Sequence, residues 1–207
     1  MNSEPVTLTA AINMDILKAV NMASSTEETR YYLNGVLIEV TENAVRYVAT
    51  NGHLLLTMIE NSPYPNTLTG SWIIPHKWIK NTKGMTIKSV PYIEMSEQDG
   101  MLTFRSPGSA STATPINGTF PEWRRTVPKS MRRAKRVIQQ FNPEYLMVFA
   151  KFAKAMNLER LHIHHAHDIG DPCPVTFGAS RDAFGILMPW RSESPAWDRE
   201  AFLPGEV

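Results

Sequence analysis

Four histidines fall within six residues: His162, His164, His165 and His167. A His-x-His pair on a strand sets both imidazoles on one side, and imidazole is a common metal ligand. Against a metal stand the single thiol, Cys173, and the lack of a further ligand at helical spacing. A half-exposed strand accounts for the histidines more simply, so neither a metal nor a cofactor is expected. Cys173, between Pro172 and Pro174, reads as a small apolar loop residue. A lone cysteine excludes an intramolecular disulfide framework and fits a reducing, cytoplasmic setting. No Gly-rich phosphate loop, nucleophile elbow or HExxH pattern occurs, and the acidic residues are scattered. No catalytic residue is assigned, and a binding protein is expected rather than an enzyme.

The more useful chemistry is positive charge. Lys18, the set Lys77, Lys80 and Lys83, and the pair Lys151 and Lys154 fall on three predicted helices whose other faces are apolar. Ordinary solvated helix faces are one reading. If the three helices line one surface, that surface is basic although the formal net charge is only +1. It would then hold a duplex through its phosphates, without base readout and with strong salt dependence. The connector from Lys129 to Arg136, with Arg132 and Arg133, is either a solvated linker or a further phosphate contact.

Three units of similar plan position these residues, at roughly 6–60, 70–128 and 135–191 of the 207 residues. Each reads as a short strand, a helix and about three strands. In the first, Val6–Thr9 is a strand. Ile12, Ile16, Ala19, Val20 and Ala23 form a helical stripe, with Asp15, Lys18 and Asn21 opposite. A hairpin follows from Arg30 to Ala49: Val36, Ile38 and Val40 share one face, Leu37 and Glu39 the other. Asn51-Gly52 reverses the chain before Leu54. In the second unit Pro75 opens a helix that stops at Gly84, and Thr86–Lys88, Tyr92–Met95, Leu102–Arg105 and Ser111–Pro115 are strand candidates. In the third, Val137–Phe141 is a strand. Asn142 and Pro143 start a helix with the stripe Tyr145, Phe149, Phe152 and Met156. Leu161–His165, Val175–Phe177 and Phe184–Met188 read as strands. No apolar run approaches the ~20 residues of a membrane span, and Met-Asn-Ser-Glu-Pro carries no signal-peptide pattern.

The wording is more specific than the periodicity. Arg30-Tyr31-Tyr32-Leu33-Asn34-Gly35, Val48-Ala49-Thr50-Asn51-Gly52-His53, Phe120-Pro121-Glu122-Trp123-Arg124-Arg125-Thr126-Val127-Pro128, Phe141-Asn142-Pro143-Glu144-Tyr145-Leu146 and Leu187-Met188-Pro189-Trp190-Arg191 occur in that order. Together they resemble the bacterial sliding clamp family, the β subunit of the replicative DNA polymerase III holoenzyme. The chain looks like the middle clamp domain followed by the last half of the third, and nothing resembles the first. The resemblance implies an α+β DNA-clamp fold of βαβββ units, with helices on one face of antiparallel sheets. It implies a complete clamp-like domain at 1–128, half a domain at 129–191 and a tail at 192–207.

It also implies sites. The helices would line a central hole around double-stranded DNA. Arg30, Tyr31 and Tyr32 match a loop near DNA, where they would contact phosphate or stack on an unpaired base. Core packing is the other reading of Tyr32. A pocket for short peptides of polymerases, the clamp loader and repair proteins would take Leu33, Thr50, Gly52, His53, Leu55, Pro121, Arg125, Thr126, Ile186, Leu187, Met188, Pro189, Trp190 and Arg191. Two departures remove charge at its rim: Leu54 where the family usually has Arg, and Asn51 where it usually has Asp.

A family ring has about twelve such units, so three per chain call for a homotetramer. Two third units would pair across a twofold axis, and the first units would have to meet symmetrically. In a single copy the third unit's helix stripe and sheet edge are expected to be exposed. The function implied is a DNA-encircling processivity factor. The alternative is a ringless mimic that binds clamp-interacting peptides and inhibits or redirects replication.

Overall fold

The computed structural model describes residues 7–82, 91–129, 139–166 and 168–190. The first strand, β1 (Thr9–Asn13), ends where the Asn13 side chain accepts the N–H groups of Asp15 and Ile16. That cap opens α1 (Met14–Val20), which runs into a 3-10 turn, Asn21–Ala23. Ile12, expected on the helix, therefore belongs to the strand before it. Asn21, expected towards solvent, is buried, with its side-chain oxygen against Ser24 and His76.

Residues Glu28–Leu33 form two short 3-10 turns, kinked at Arg30, instead of the first arm of the hairpin. The sheet starts at Gly35, where the Ile74 carbonyl oxygen lies so close that a Cβ would overlap it. Strands β2 (Gly35–Val40), β3 (Ala44–Thr50) and β4 (Leu54–Asn61) follow. In the second unit β5 (Gly70–Pro75) leads into α2 (His76–Asn81), with Pro75 as the extended residue just before the helix. Then come β6 (Tyr92–Gln98), β7 (Met101–Ser106) and β8 (Ser109–Ala113). In the third, Asn142 caps α3 (Pro143–Ala155) by accepting the Glu144 N–H. Strands β9 (Leu161–Ile163), β10 (Cys173–Phe177) and β11 (Ala183–Leu187) complete it. The strand expected at 137–141 shows only the Gln140–Trp190 bridge among its described residues, and the candidate at Thr86–Lys88 lies outside them.

All strand pairs are antiparallel, in two sheets of order β1-β6-β7-β8 and β5-β2-β3-β4-β11-β10-β9. The first two units exchange strands: β1 pairs with β6, and β5 with β2. The third unit joins the first through β11 and β4, in a register from Ala183–Met58 to Leu187–Leu54.

The pleat of the larger sheet separates two apolar clusters. Val36, Ile38, Tyr47, Leu54, Leu56 and Leu187 face the helices. Leu37, Val48, Leu55, Ile73 and Ile186 face the other way, under a cover of Phe120 and Trp123. The α3 stripe is not exposed as expected. Phe149 and Phe152 are fully buried in the helix-side cluster, continuous with the first unit, and the Phe152 ring lies 5.0 Å from that of Phe177. Each such ring contributes about 1.5–3 kcal/mol by burial. Among the described residues no helix is long and apolar enough to cross a membrane, which says nothing of a β-barrel.

Candidate functional site

The helix side and the opposite side of the large sheet each carry a candidate surface. On the helix side a cavity of about 510 Å³ opens among α1, α2 and α3. Lys18, Lys80 and Lys151, one from each helix, line it with Asn21, Met22, His76, Ile79 and Val148. The His76 ring nitrogen lies 2.7 Å from Ser24 Oγ and 3.1 Å from Asn21 Oδ1. Burial pushes the His76 pKa down, and the nearby Lys80 ammonium adds to that. The cavity thus combines three ammonium groups with an imidazole held towards its neutral form. Lys77 and Lys154 lie on the same helices and do not line the cavity. Lys83, Arg132 and Arg133 lie outside the described residues.

Arg30, Tyr31 and Tyr32 do not join these lysines at the cavity. Arg30 pairs with Glu27 at 2.7 Å, and its guanidinium lies against Gly52. Tyr31 is half exposed, edge-on to Tyr32, and Tyr32 packs against the apolar cluster on the far side of the sheet. The core reading of Tyr32 is the one its packing supports.

On the far side lies a smaller apolar pocket of about 150 Å³, at the β3–β4 turn. The turn is built by side chains that replace missing ladder bonds. Asn51 Oδ1 accepts the His53 and Leu54 N–H groups, and Thr50 Oγ donates to the Leu54 carbonyl at 2.6 Å. Gly52 takes a φ of 91°, a left-handed value that glycine adopts at little cost. Leu33, Leu55 and Ile186 supply apolar surface, and Pro121, Trp123 and Thr126 come from the segment that covers the sheet. Met188 donates its N–H to the His53 carbonyl at 2.9 Å, which brings the end of β11 to the pocket. The His53 ring also stacks on Tyr145 of α3, at 5.7 Å. Arg124 holds Trp123 from outside. Its guanidinium lies 4.3 Å from the ring centroid and makes two hydrogen bonds to Glu39.

Of the predicted pocket residues, Leu33, Thr50, Gly52, His53, Leu55, Pro121, Thr126, Ile186 and Met188 come together here. Leu187 does not, because period-two alternation turns it into the helix-side core when Ile186 faces the pocket. Pro189 is buried and Arg125 exposed, and neither lines the pocket. Trp190 is 62% exposed and bonded through its N–H to Gln140. Arg191 lies outside the described residues. One lining residue was missed, Trp123, and Leu54, noted at the rim only as a departure, lines the pocket too. Trp123 sits inside the stretch Phe120–Pro128, and its bulk just before two arginines was the available signal.

The histidines do not assemble a metal centre among the described residues, where no three of His, Cys, Asp or Glu stand together. His164 bonds Thr176, and His165 bonds Gln139, which also accepts from Cys173. His167 is outside the described residues.

Comparison with known proteins decides the family. The profile of the DNA polymerase III beta subunit, central domain, matches residues 7–122, more than half of the chain. The chain belongs to the DNA polymerase III beta subunit family. The beta sliding clamp of Caulobacter vibrioides is 30% identical over 120 residues, 55% of this chain and 32% of the relative. That of Escherichia coli K12 is 27% identical over 125 residues, 60% of this chain and 34% of the relative. The matched stretch thus spans about a third of the curated clamps. In fold the likeness reaches further. The DNA polymerase III subunit beta of Pseudomonas aeruginosa superposes with a TM-score of 0.73, over 92% of this chain and 68% of that one, at 17% identity. The subunit from Thermotoga maritima gives 0.70 at 15% identity, over 93% and 68%. Within this clamp fold the two departures have readable consequences. Asn51 keeps both turn hydrogen bonds without the charge of Asp, and Leu54, buried beside its register partner Leu187 in the helix-side cluster, leaves the rim without the charge an Arg would bring.

Proposed function

We propose that this chain is a sliding-clamp-like scaffold that encircles double-stranded DNA and tethers polymerase or repair proteins by short peptides. The observation that carries this reading is the division of labour across one sheet. Lysines of three helices converge on one side, and an apolar pocket lies on the other. The lysine side suits phosphate contacts that carry no base information. The pocket suits an apolar peptide anchor, with Met188 adapting to different side chains. Enclosure would make retention long even where each contact is weak, and a tethered polymerase would gain effective concentration. The chemistry calls for binding, not catalysis, and for a setting where DNA is replicated.

A ring of about twelve units built from three-unit copies is a tetramer. The outer edge of β4 is taken by β11, so the first units would not meet through that edge. Among the described residues four strands end a sheet with a single strand partner, β1 and β8 in one sheet and β5 and β9 in the other, so copies would join at such ends. The complete domain at 1–128 and the half domain at 129–191 are the building blocks of this reading. The test is retention on DNA: protein loaded on a closed circular plasmid should survive a high-salt wash and leave once the plasmid is cut. Equal loss from circular and linear DNA refutes encirclement.

The ringless mimic draws on a different observation. Every residue of the pocket comes from one chain. Peptide capture therefore needs no ring. A labelled clamp-binding peptide that binds a protein showing no topological retention would establish the mimic.

A further inference from the structure

The three units repeat one hydrogen bond. In each, the segment leaving the last strand donates back to the strand that enters the helix. The bonds are Leu68 N–H to the Thr9 carbonyl, Ile116 to Ile73 and Trp190 to Gln140, at 2.8, 2.9 and 2.7 Å. The first two units share a second feature. The strand entering the helix of one unit pairs antiparallel with the first strand after the helix of the other: β1 with β6, and β5 with β2. In the third unit β9 is the first strand after the helix, and β10 is its one strand partner among the described residues. Among the described residues, the position that β5 fills on β2, and β1 fills on β6, has no strand on β9.

Its backbone is set for a partner. Gly178 N–H bonds the Arg160 carbonyl and His164 N–H bonds the Pro174 carbonyl, so residues 160, 162 and 164 turn their polar groups to β10. By antiparallel alternation, Leu161 and Ile163 turn their N–H and C=O groups to the open side. Apart from its shortness, the edge Leu161-His162-Ile163 carries none of the lysines, prolines or bulges that blunt solvent-facing edges.

We infer that β9 takes, antiparallel, the strand entering α3 (Gln139–Phe141) of a second copy of this chain and gives its own in return, so that two third units complete one clamp domain by reciprocal strand exchange. The partner is a second copy because the strand that fits this position in the other units is the same element of the repeat, and a reciprocal exchange closes on itself with twofold symmetry. The inference deepens the ring reading and rests on its need for copies to join. It is nonetheless tested apart from DNA.

The experiment is amide hydrogen exchange on the full chain, resolved by residue, across a concentration series, with sedimentation velocity alongside. His162 and His164 should be protected at every concentration. Leu161 and Ile163 should gain protection of at least about tenfold as the dimer forms. Ile163→Pro removes an outward N–H without touching the β10 bonds, so it should sediment as a monomer that still unfolds cooperatively, at a lower melting temperature because Ile163 packs on the helix-side core. If that variant fails to fold, the exchange pattern of the parent still decides. A dimer whose Leu161 and Ile163 exchange at open-strand rates overturns the inference. So does an Ile163→Pro variant that stays dimeric, or a parent that is monomeric at the highest concentration. Strand exchange without retention on circular DNA would sink the ring reading alone. Retention with an unprotected β9 would sink this inference alone.

Discussion

Replacing Lys18, Lys80 and Lys151 together by Ala should flatten the salt dependence of duplex binding. All three line one cavity, so a backbone lying across the helices would meet them as a set. Each lysine that neutralises one phosphate adds about 0.9 to the slope of log Kobs against log salt, so the set supplies about 2.7 per copy. Over a fourfold rise in salt, from about 50 to about 200 mM, that slope is worth about 1.6 log units, or roughly 40-fold in affinity. The assay is fluorescence anisotropy of a labelled duplex at four or five salt concentrations, with the slope as the readout. The fold should survive, because Lys80 and Lys151 are exposed and Lys18 is only partly buried. Lys77→Ala with Lys154→Ala is the comparison pair, on the same helices but off the cavity, and its slope should fall by less. A triple variant with the slope of the parent refutes the reasoning: the lysines would then be solvated helix faces.

Three further outcomes are expected. A Cβ on Gly185 of β11 would overlap Phe149 Cε1 and stand 2.8 Å from the Leu55 carbonyl oxygen. Gly185→Ala should therefore cost about 1–3 kcal/mol, at about 2–4 °C of Tm per kcal/mol. Phe149→Leu should offset only part of this, since the Leu55 oxygen is backbone, and calorimetry of the double-mutant cycle measures the coupling. Met188→Glu should weaken a clamp-binding peptide about tenfold or more, while Tm stays near that of the parent, because Met188 is only partly buried; isothermal titration and a melt check both. His76 has its pKa held below the ordinary 6.5 by burial and by Lys80. As pH falls, the unfolded chain takes the proton first, so this contribution is intact above about 6.5 and is lost as pH falls through that value. Urea unfolding between pH 8 and pH 5 should show a loss for the parent that His76→Asn reduces.

Much of this protein was legible in the chain. Alternation marked β2 and β3, because a half-buried sheet forces period two, while β6, β7, β10 and β11 showed only as short strand candidates. Asn142-Pro143 marked the start of α3, because the cap and the missing N–H act within one turn. Asn51-Gly52 marked the turn that shapes the pocket, for the same local reason. Where local signals competed, the reading failed. Ile12 fits both the helical stripe and the strand, and the Asn13 cap chose the strand. The apolar and aromatic run from Arg30 to Leu33 looks extended, yet it lies in two short 3-10 turns that tie Arg30 to Glu27.

By itself the sequence determined the repeating units and the lysines on three helices, since each follows from residue type and short-range spacing, while the clamp fold came from the resemblance of five motifs to the sliding clamp family. Only the tertiary structure decided that β11 zips onto β4, with their residues more than a hundred positions apart. That one pairing buries Phe149 and Phe152, joins Met188 to His53, and divides Ile186 from Leu187 between pocket and core. No local period encodes which edge meets which edge. It is settled by non-local hydrogen bonds and by the fit of side chains across them.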